Sequence, residues 1–124
     1  MKTRIGAIAL AAAIASISAQ PVSSQANELS TAGSLREQCG FALSPDTQAS
    51  QAGLLCLSYI MGVSDMQIAI RGRGEQPFYC APPGVSYVQL AAVYKKWADE
   101  HPEHWHEFKL DALLRSLKAA YPCG

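Results

Sequence analysis

The sequence predicts an all-α protein, a small bundle of four to five helices stapled by two disulfides. The first observation is that apolar residues recur at steps of three and four in consecutive segments, which is typical of amphipathic helices. The second is that no segment alternates apolar and polar residues over the length of a strand. The third is the presence of four cysteines in a chain of 124 residues, an even number that suits paired thiols.

Length and composition indicate one small domain and exclude several classes of protein. Hydrophobic residues make up 49 % of the chain and charged residues 16 %, which is unlike the composition of a disordered chain. The formal net charge is +0, so the chain has no overall polybasic character. We therefore expect no nucleic-acid partner.

The first 19 residues have the pattern of a secretory signal peptide. Lys2 and Arg4 precede an uncharged apolar run at 5–17, and small and polar residues follow it. This run is shorter than the roughly 20 residues that a helix needs to span a bilayer. Cleavage is expected after Ala19, or as late as Ala26.

Cleavage defines the expected domain organisation and location. Residues 1–19 form the signal peptide, residues 20–27 a flexible polar tail, and residues 28–124 a disulfide-stapled helical domain. The exported protein is expected in the periplasm, an oxidising compartment in which cysteines pair. We expect no other segment of membrane-spanning length, and therefore no membrane association after cleavage.

Two helices are predicted in the first half of the mature chain. Asn27 is a suitable N-cap for a helix whose apolar stripe covers 29–43. Ser44 and Pro45 then fit the cap and the first position of a second helix, which reaches about Arg71. The second helix is apolar on most sides, so we expect it to be central and the most buried. One of its faces is marked by Leu54, Leu57, Met61, Asp65 and Ile68.

Two further helices follow a loop that contains glycines and prolines. Ser86 and Gln89 match a capping box, in which each side chain satisfies the other residue's backbone amide. This helix continues to about Glu100. Pro102 ends it and begins the last helix, which is expected to run to Tyr121.

The four cysteines allow three disulfide pairings. They are Cys39, Cys56, Cys80 and Cys123. The last two helices have similar predicted lengths and almost no loop between them, so we expect a hairpin whose open ends meet. Cys80 precedes this hairpin and Cys123 follows it, which favours the pairs Cys80–Cys123 and Cys39–Cys56. The alternative is a cysteine–histidine metal site, which the absence of a C-x-x-C pair disfavours.

No motif for catalysis or for cofactor binding is present in the sequence. It contains neither a G-x-S-x-G nor an S-x-x-K nucleophile motif. Gly72 and Gly74 are not part of a phosphate-binding loop, since no G-K-[ST] follows them. We interpret the histidines and acids around Pro102 as a polar turn that faces solvent or a partner, not a metal site. The prediction is a protein that is not an enzyme and uses neither a cofactor nor a metal.

Several short stretches occur along the chain in a distinctive order. They are Cys56–Gly62, Phe78–Pro82, Val85–Ser86, Gln89–Leu90, His101–Glu103 and Tyr121–Cys123. Together with the signal peptide they resemble the Rap/Tai family of type VI secretion immunity proteins, over about residues 39–123. The resemblance implies a small exported α-helical protein with two disulfides, often a homodimer. It also implies that the protein binds and blocks a peptidoglycan amidase effector delivered into the periplasm.

Under this resemblance the protein inhibits by binding. A disulfide-stapled binder loses little entropy on docking, and the stiff polar turn Asp99–His106 would enter a groove of the cognate effector. The candidate partner-binding residues are Asp99, Glu100, His101, Glu103, His104 and His106. The alternative function is a small periplasmic acid-stress chaperone, or an orphan envelope protein of the same fold without a toxin partner.

Overall fold

A computed structural model describes residues 28–124, which fold into four α-helices joined by turns. These are α1 (Ala32–Ala42), α2 (Gln51–Gly72), α3 (Tyr87–Glu100) and α4 (Lys109–Ala120), with a short 3-10 turn at Pro102–His104. The predicted all-α class and the order of the helices are confirmed. The predicted signal peptide (1–19) and tail (20–27) lie outside the described residues.

The first two helices begin several residues later than predicted, each at a hydroxyl N-cap. Thr31 Oγ1 accepts the Ser34 N–H at 3.2 Å, and Ser50 Oγ accepts the Gly53 N–H at 3.2 Å. Each bond satisfies one of the N–H groups that a helix leaves without an internal partner at its start. The true starts are therefore at Ala32 and Gln51.

The connection between α1 and α2 explains the late start of α2. Thr47 Oγ1 donates to the carbonyl of Phe41 at 2.9 Å, and Gln48 Nε2 donates to the carbonyl of Ala42 at 3.0 Å. Both carbonyls belong to the last turn of α1, where a helix leaves its acceptors unused. Residues that were expected in the second helix instead close the first one.

The predicted last helix is interrupted at residues 105–108, between the 3-10 turn and α4. The backbone carbonyls there accept hydrogen bonds from the start of α1. Trp105 O accepts the Gly33 N–H and Glu107 O accepts the Ala32 N–H, each at 2.9 Å. These two N–H groups have no partner inside α1, so the interruption satisfies them at the expense of a continuous last helix. As a result α4 is shorter than predicted.

The second helix packs mainly against α1, and it buries a different face from the one that the apolar pattern marks. Its buried residues are Gly53, Cys56, Ile60, Val63 and Gln67. Leu54, Met61 and Ile68, which belong to the marked face, are 50 %, 44 % and 68 % exposed. Periodicity did not distinguish the faces because apolar residues occur all around this helix. The expectation that this helix is the most buried one is therefore wrong.

Among residues 28–124, α2 is the one helix long and apolar enough to cross a membrane, judged by length and composition only. It has 22 residues and a mean hydropathy of 1.5 in its most apolar window. The expectation that no segment beyond the signal peptide reaches such a length is therefore wrong. This observation is weak evidence for a membrane span, since core helices of soluble proteins meet the same criterion.

The core lies between the four helices, and two disulfides close it. Cys39–Cys56 joins α1 to α2, and both of its residues are fully buried. Cys80–Cys123 joins the segment before α3 to the end of the chain, where the Cys80 N–H also donates to Tyr121 O at 2.8 Å. The structure thus contains the pairing that the hairpin argument favours. The largest fully buried side chains of the core are Tyr94, Leu35, Ile60, Leu113 and Leu117.

Candidate partner-binding surfaces

The polar turn forms a stacked cluster against α3. His101 lies on the ring of Trp97, with ring centroids 4.6 Å apart, and His104 lies 5.5 Å from the same ring. Both histidine rings are within 17° of parallel to the indole. His101 Nδ1 donates to the Trp97 carbonyl at 2.7 Å. Both histidines are half-buried in this stack and hold the turn in place.

A second set of contacts fastens the turn to α4. His104 Nδ1 donates to Glu107 Oε1 at 2.6 Å, and Arg115 Nη1 donates to Glu107 Oε2 at 3.0 Å. The hydrogen bond from His104, together with the charge of Arg115, holds the pKa of the Glu107 carboxyl below its usual value. Glu107 is therefore ionised at neutral pH, which keeps both bonds in place.

Asp99 connects the turn to α1. Its Oδ2 accepts a hydrogen bond from Lys95 Nζ at 2.6 Å, and its Oδ1 accepts one from Arg36 Nε. The bond from Lys95 is the main cause that lowers the pKa of Asp99, and Arg36 adds to it. Arg36 also lies over the ring of Trp105, 4.4 Å from its centroid, in a cation–π contact. Both carboxylate oxygens of Asp99 are thus engaged within the protein.

The structure separates the six candidate binding residues into two groups. Those that are engaged in holding the turn are Asp99, His101 and His104. Those that are exposed are Glu100, Glu103 and His106. The turn therefore offers three polar side chains to a partner from a backbone that its neighbours fix. Their role in binding stays a prediction.

Two aromatic side chains, one within the polar turn and one just after it, lie at the surface. Trp105 is 37 % exposed and Phe108 is 52 % exposed. The sequence predicts both within the last helix, but the interruption at 105–108 takes them out of that helix. Trp105 Nε1 donates to the carbonyl of Ala98 at 2.7 Å, which fixes the ring. Exposed aromatic rings are enriched at protein–protein interfaces, and no local signal in the sequence marks these two.

The second candidate surface is an apolar stripe in the first half of α2. We define the α2 stripe as Leu54, Leu55 and Met61, which are 50 %, 47 % and 44 % exposed. Gly62 follows the stripe, and a Cβ built on it would meet no atom within 4 Å. The surface here is therefore both apolar and open. Clustered exposed apolar side chains are typical of sites that contact another protein.

Metal-binding geometry is absent from the part of the chain that the structure describes. No group of three or more histidine, cysteine, aspartate or glutamate side chains in residues 28–124 is placed to hold an ion. All four cysteines are paired with each other, so none is a thiolate ligand.

These features define a class: a small α-helical protein with two disulfides, whose polar turn and apolar stripe are exposed to other molecules. The chain belongs to the family of Rap1a immunity proteins, whose family model matches residues 31–123. The match includes all four helices and all four cysteines. The family indicates an immunity protein against a secreted effector, a kind of protein that is typically not an enzyme. No curated protein and no solved structure matches the chain at a significant level.

Proposed function

We propose that this protein acts in the periplasm, where it binds and inhibits a peptidoglycan amidase delivered by a type VI secretion system. The observation that carries the proposal is the family match, since residues 31–123 contain the whole disulfide-stapled fold. The N-terminal signal pattern and the paired cysteines support an oxidising compartment outside the cytoplasm. An amidase that enters the periplasm would meet its inhibitor there.

The contacts around the polar turn suit inhibition by binding. The turn is tied to α3 by the stack on Trp97, to α4 by the Glu107–Arg115 pair, and to α1 by the Asp99–Arg36 pair. A turn that three helices fix loses little conformational entropy when it docks. Its exposed side chains would then occupy the effector's substrate groove and exclude peptidoglycan.

The test is inhibition of an amidase by the mature, oxidised protein. Each candidate amidase effector encoded in the same genome is purified, and its release of peptide from peptidoglycan is measured against increasing amounts of this protein. We expect stoichiometric inhibition with a Kd of about 1 nM and an interface of standard size, about 1,600 Å². Amidases that all stay active at saturating protein would contradict the proposal. Suppression of client aggregation at about pH 3 would instead favour the chaperone alternative.

A paired variant tests the polar turn as the contact. Glu100→Lys combined with His106→Glu reverses the charge at one exposed side chain and makes another acidic, and neither residue touches the stacked histidines. We expect the Kd for the amidase to rise at least about tenfold, because charged groups at an interface select the partner. Asp46→Lys, an exposed acid in the connection between α1 and α2, is the matched control. An unchanged Kd in the double variant would remove the turn from the interface.

We also propose that the protein is a homodimer joined through the α2 stripe. The family resemblance implies a dimer, and a second copy would remove these large exposed side chains from water. Met61→Glu is expected to convert the dimer to a monomer in light scattering, whereas Lys96→Glu on the exposed face of α3 should leave it unchanged. Wild-type protein that is monomeric at the highest soluble concentration would contradict this arrangement.

A further inference from the structure

A small pocket lies between the second half of α2 and the segment that leads into α3. Its volume is about 240 Å³, below the roughly 300–1,000 Å³ of sites for drug-sized ligands. It therefore fits one or two side chains of another protein. Its walls come from residues 64–71, from residues 79–87 and from Leu90, so it lies apart from the polar turn.

One buried polar group in this pocket has no partner. Gln67 is only 5 % exposed, and its Oε1 accepts the Phe78 N–H at 2.8 Å. This bond fixes the orientation of the amide, and Phe78 does not line the pocket. Gln67 Nε2 is buried and has no acceptor among residues 28–124. Because buried donors are nearly always satisfied, a bound acceptor would account for this one.

The remaining polar groups of the pocket make it positive and rich in donors. Arg71 lines it and forms no ion pair with any residue of 28–124. No aspartate or glutamate among the described residues lines it. Ser64 Oγ and Tyr79 Oη lie 3.2 Å apart, a bond that uses one of their two hydroxyl protons and leaves the other free to donate.

The pocket walls are held rigidly. Tyr79 is 4 % exposed and is followed by Cys80, whose disulfide to Cys123 anchors the segment. The prolines at 82–83 fix two backbone φ angles. Gly84 then turns the chain with a φ of 90°, a value that favours glycine. The 79–84 wall therefore needs little rearrangement when a ligand enters.

We propose that this pocket binds an aspartate or glutamate side chain of the effector, together with an apolar neighbour. Arg71 pairs with the carboxylate, and the free hydroxyl proton of the Ser64–Tyr79 pair donates to one of its oxygens. Gln67 Nε2, which has almost no accessible surface, donates to the other oxygen after a small opening of the wall around it. Ser64, Gln67, Ile68 and Arg71 lie on one face of α2, since these positions are three and four residues apart, and Tyr79 faces them from the opposite wall. Ile68 and Tyr87, both exposed at the rim, cover the apolar neighbour. The inference rests on the proposed function in that the acidic segment belongs to the effector.

Two matched peptides test the pocket without the effector. The probe is N-acetyl-Leu-Asp-amide, and the control is N-acetyl-Leu-Asn-amide, which has the same shape without the charge. Both are titrated into nitrogen-15-labelled oxidised protein and followed by NMR. We expect the Asp peptide to shift the side-chain amide signals of Gln67 and the Nε–H signal of Arg71, and to bind at least about fivefold more tightly than the Asn peptide. Equal binding of the two peptides, or shifts confined to other residues, would overturn the proposal.

Variants assign the effect to individual groups. Arg71→Gln changes an exposed position and is expected to weaken the Asp peptide about fivefold, whereas Arg73→Gln, which lies outside the pocket, should have no effect. Gln67→Glu keeps an oxygen for the Phe78 N–H and replaces the free donor with an acceptor, so binding should be lost. If Gln67→Glu fails to fold, Arg71→Gln decides alone, and unchanged binding in it overturns the proposal.

Amidase inhibition separates this inference from the proposed function. Weaker inhibition by Arg71→Gln, with wild-type inhibition by Arg73→Gln, supports both. If wild-type protein inhibits an amidase but the Asp peptide does not bind, the pocket proposal is overturned and the proposed function stands. If the peptide binds the pocket but no amidase is inhibited, the proposed function is overturned, and with it the effector as the source of the acidic segment.

Discussion

A single hydroxyl group joins two helices in the middle of the core. Tyr94 on α3 is fully buried, and its Oη donates to the carbonyl of Ala32 at the start of α1 at 2.7 Å. Burial raises the pKa of Tyr94 well above its ordinary value, so the phenol keeps its proton at neutral pH. The same end of α1 donates two backbone hydrogen bonds to the carbonyls of residues 105 and 107. The start of α1, α3 and the segment before α4 are therefore bonded to one another in one small region.

Removing this hydroxyl is the most direct test of its contribution. In Tyr94→Phe the ring still packs, but the carbonyl of Ala32 loses a donor, and we expect the free energy of unfolding to fall by about 1–2 kcal/mol. Urea denaturation of the oxidised protein measures the change. Tyr87→Phe is the control, because Tyr87 is 39 % exposed. An equal loss in both variants would contradict the role of the buried bond.

Asp99 makes the stability of the fold depend on pH in the acidic range. Lys95 and Arg36 hold its folded-state pKa below the ordinary value of 3.8. A group of this kind contributes stability above its unfolded-state pKa, and the contribution is lost as the pH falls through the folded-state value. We expect Asp99→Asn to lower the free energy of unfolding at pH 7 by at most about 1 kcal/mol, since the ion pairs are partly exposed. The two proteins should become equally stable as the pH approaches about 2, and a difference that persists there would show a non-ionic origin.

At the scale of the element, features whose partners are close in sequence could be predicted. The capping box of α3 is confirmed: Ser86 Oγ accepts the Gln89 N–H at 3.2 Å, and Gln89 Oε1 accepts the Ser86 N–H at 2.7 Å. Both partners lie within one helical turn. The start of α1 and the interruption at 105–108 depend on each other across most of the chain, and no local pattern contains that information.

The candidate surfaces show the same limit. Six polar residues could be placed on one turn because they are close in sequence. Which of them are bonded within the protein depends on Trp97, Arg36 and Arg115, which lie outside the turn on α3, α1 and α4. The exposed face of α2 could not be predicted either, because its apolar residues surround the helix. Its orientation instead follows from contacts at Cys56 and Gly53.

Two glycines of α2 should respond oppositely to the same substitution. A Cβ at Gly53 would lie 2.5 Å from Gln48 O and 2.8 Å from Thr47 O, backbone atoms of the turn that precedes the helix. Gly53→Ala is therefore expected to destabilise the fold by about 1–3 kcal/mol. Gly62→Ala meets no atom within 4 Å and should stabilise it by about 0.5–1 kcal/mol through helix propensity. Thermal unfolding compares the two, and stabilisation by both would show that Gly53 does not fix the start of α2.

For the whole molecule, the two disulfides contribute stabilisation on the scale of the net stability. Cys39–Cys56 spans 17 residues inside the core, and Cys80–Cys123 spans 43 residues near the surface. Chain entropy gives about 3 kcal/mol for the shorter loop and about 4 kcal/mol for the longer one. Small domains are stable by only about 5–15 kcal/mol in total. Without both disulfides, the apolar core alone therefore gives only a small free energy of unfolding.

This reasoning predicts that stable folding depends on export to an oxidising compartment. A chain without its first 26 residues, kept in a reducing cytoplasm, should be unfolded and degraded, whereas the exported chain should resist proteolysis. Immunoblotting of the two fractions after thiol alkylation measures both abundance and the number of free cysteines. The control is the same leaderless chain in cells with an oxidising cytoplasm, where we expect its abundance to recover because both disulfides can form. A leaderless chain that accumulates with four free thiols would show that the core folds stably without the disulfides. Stable folding would then not depend on export.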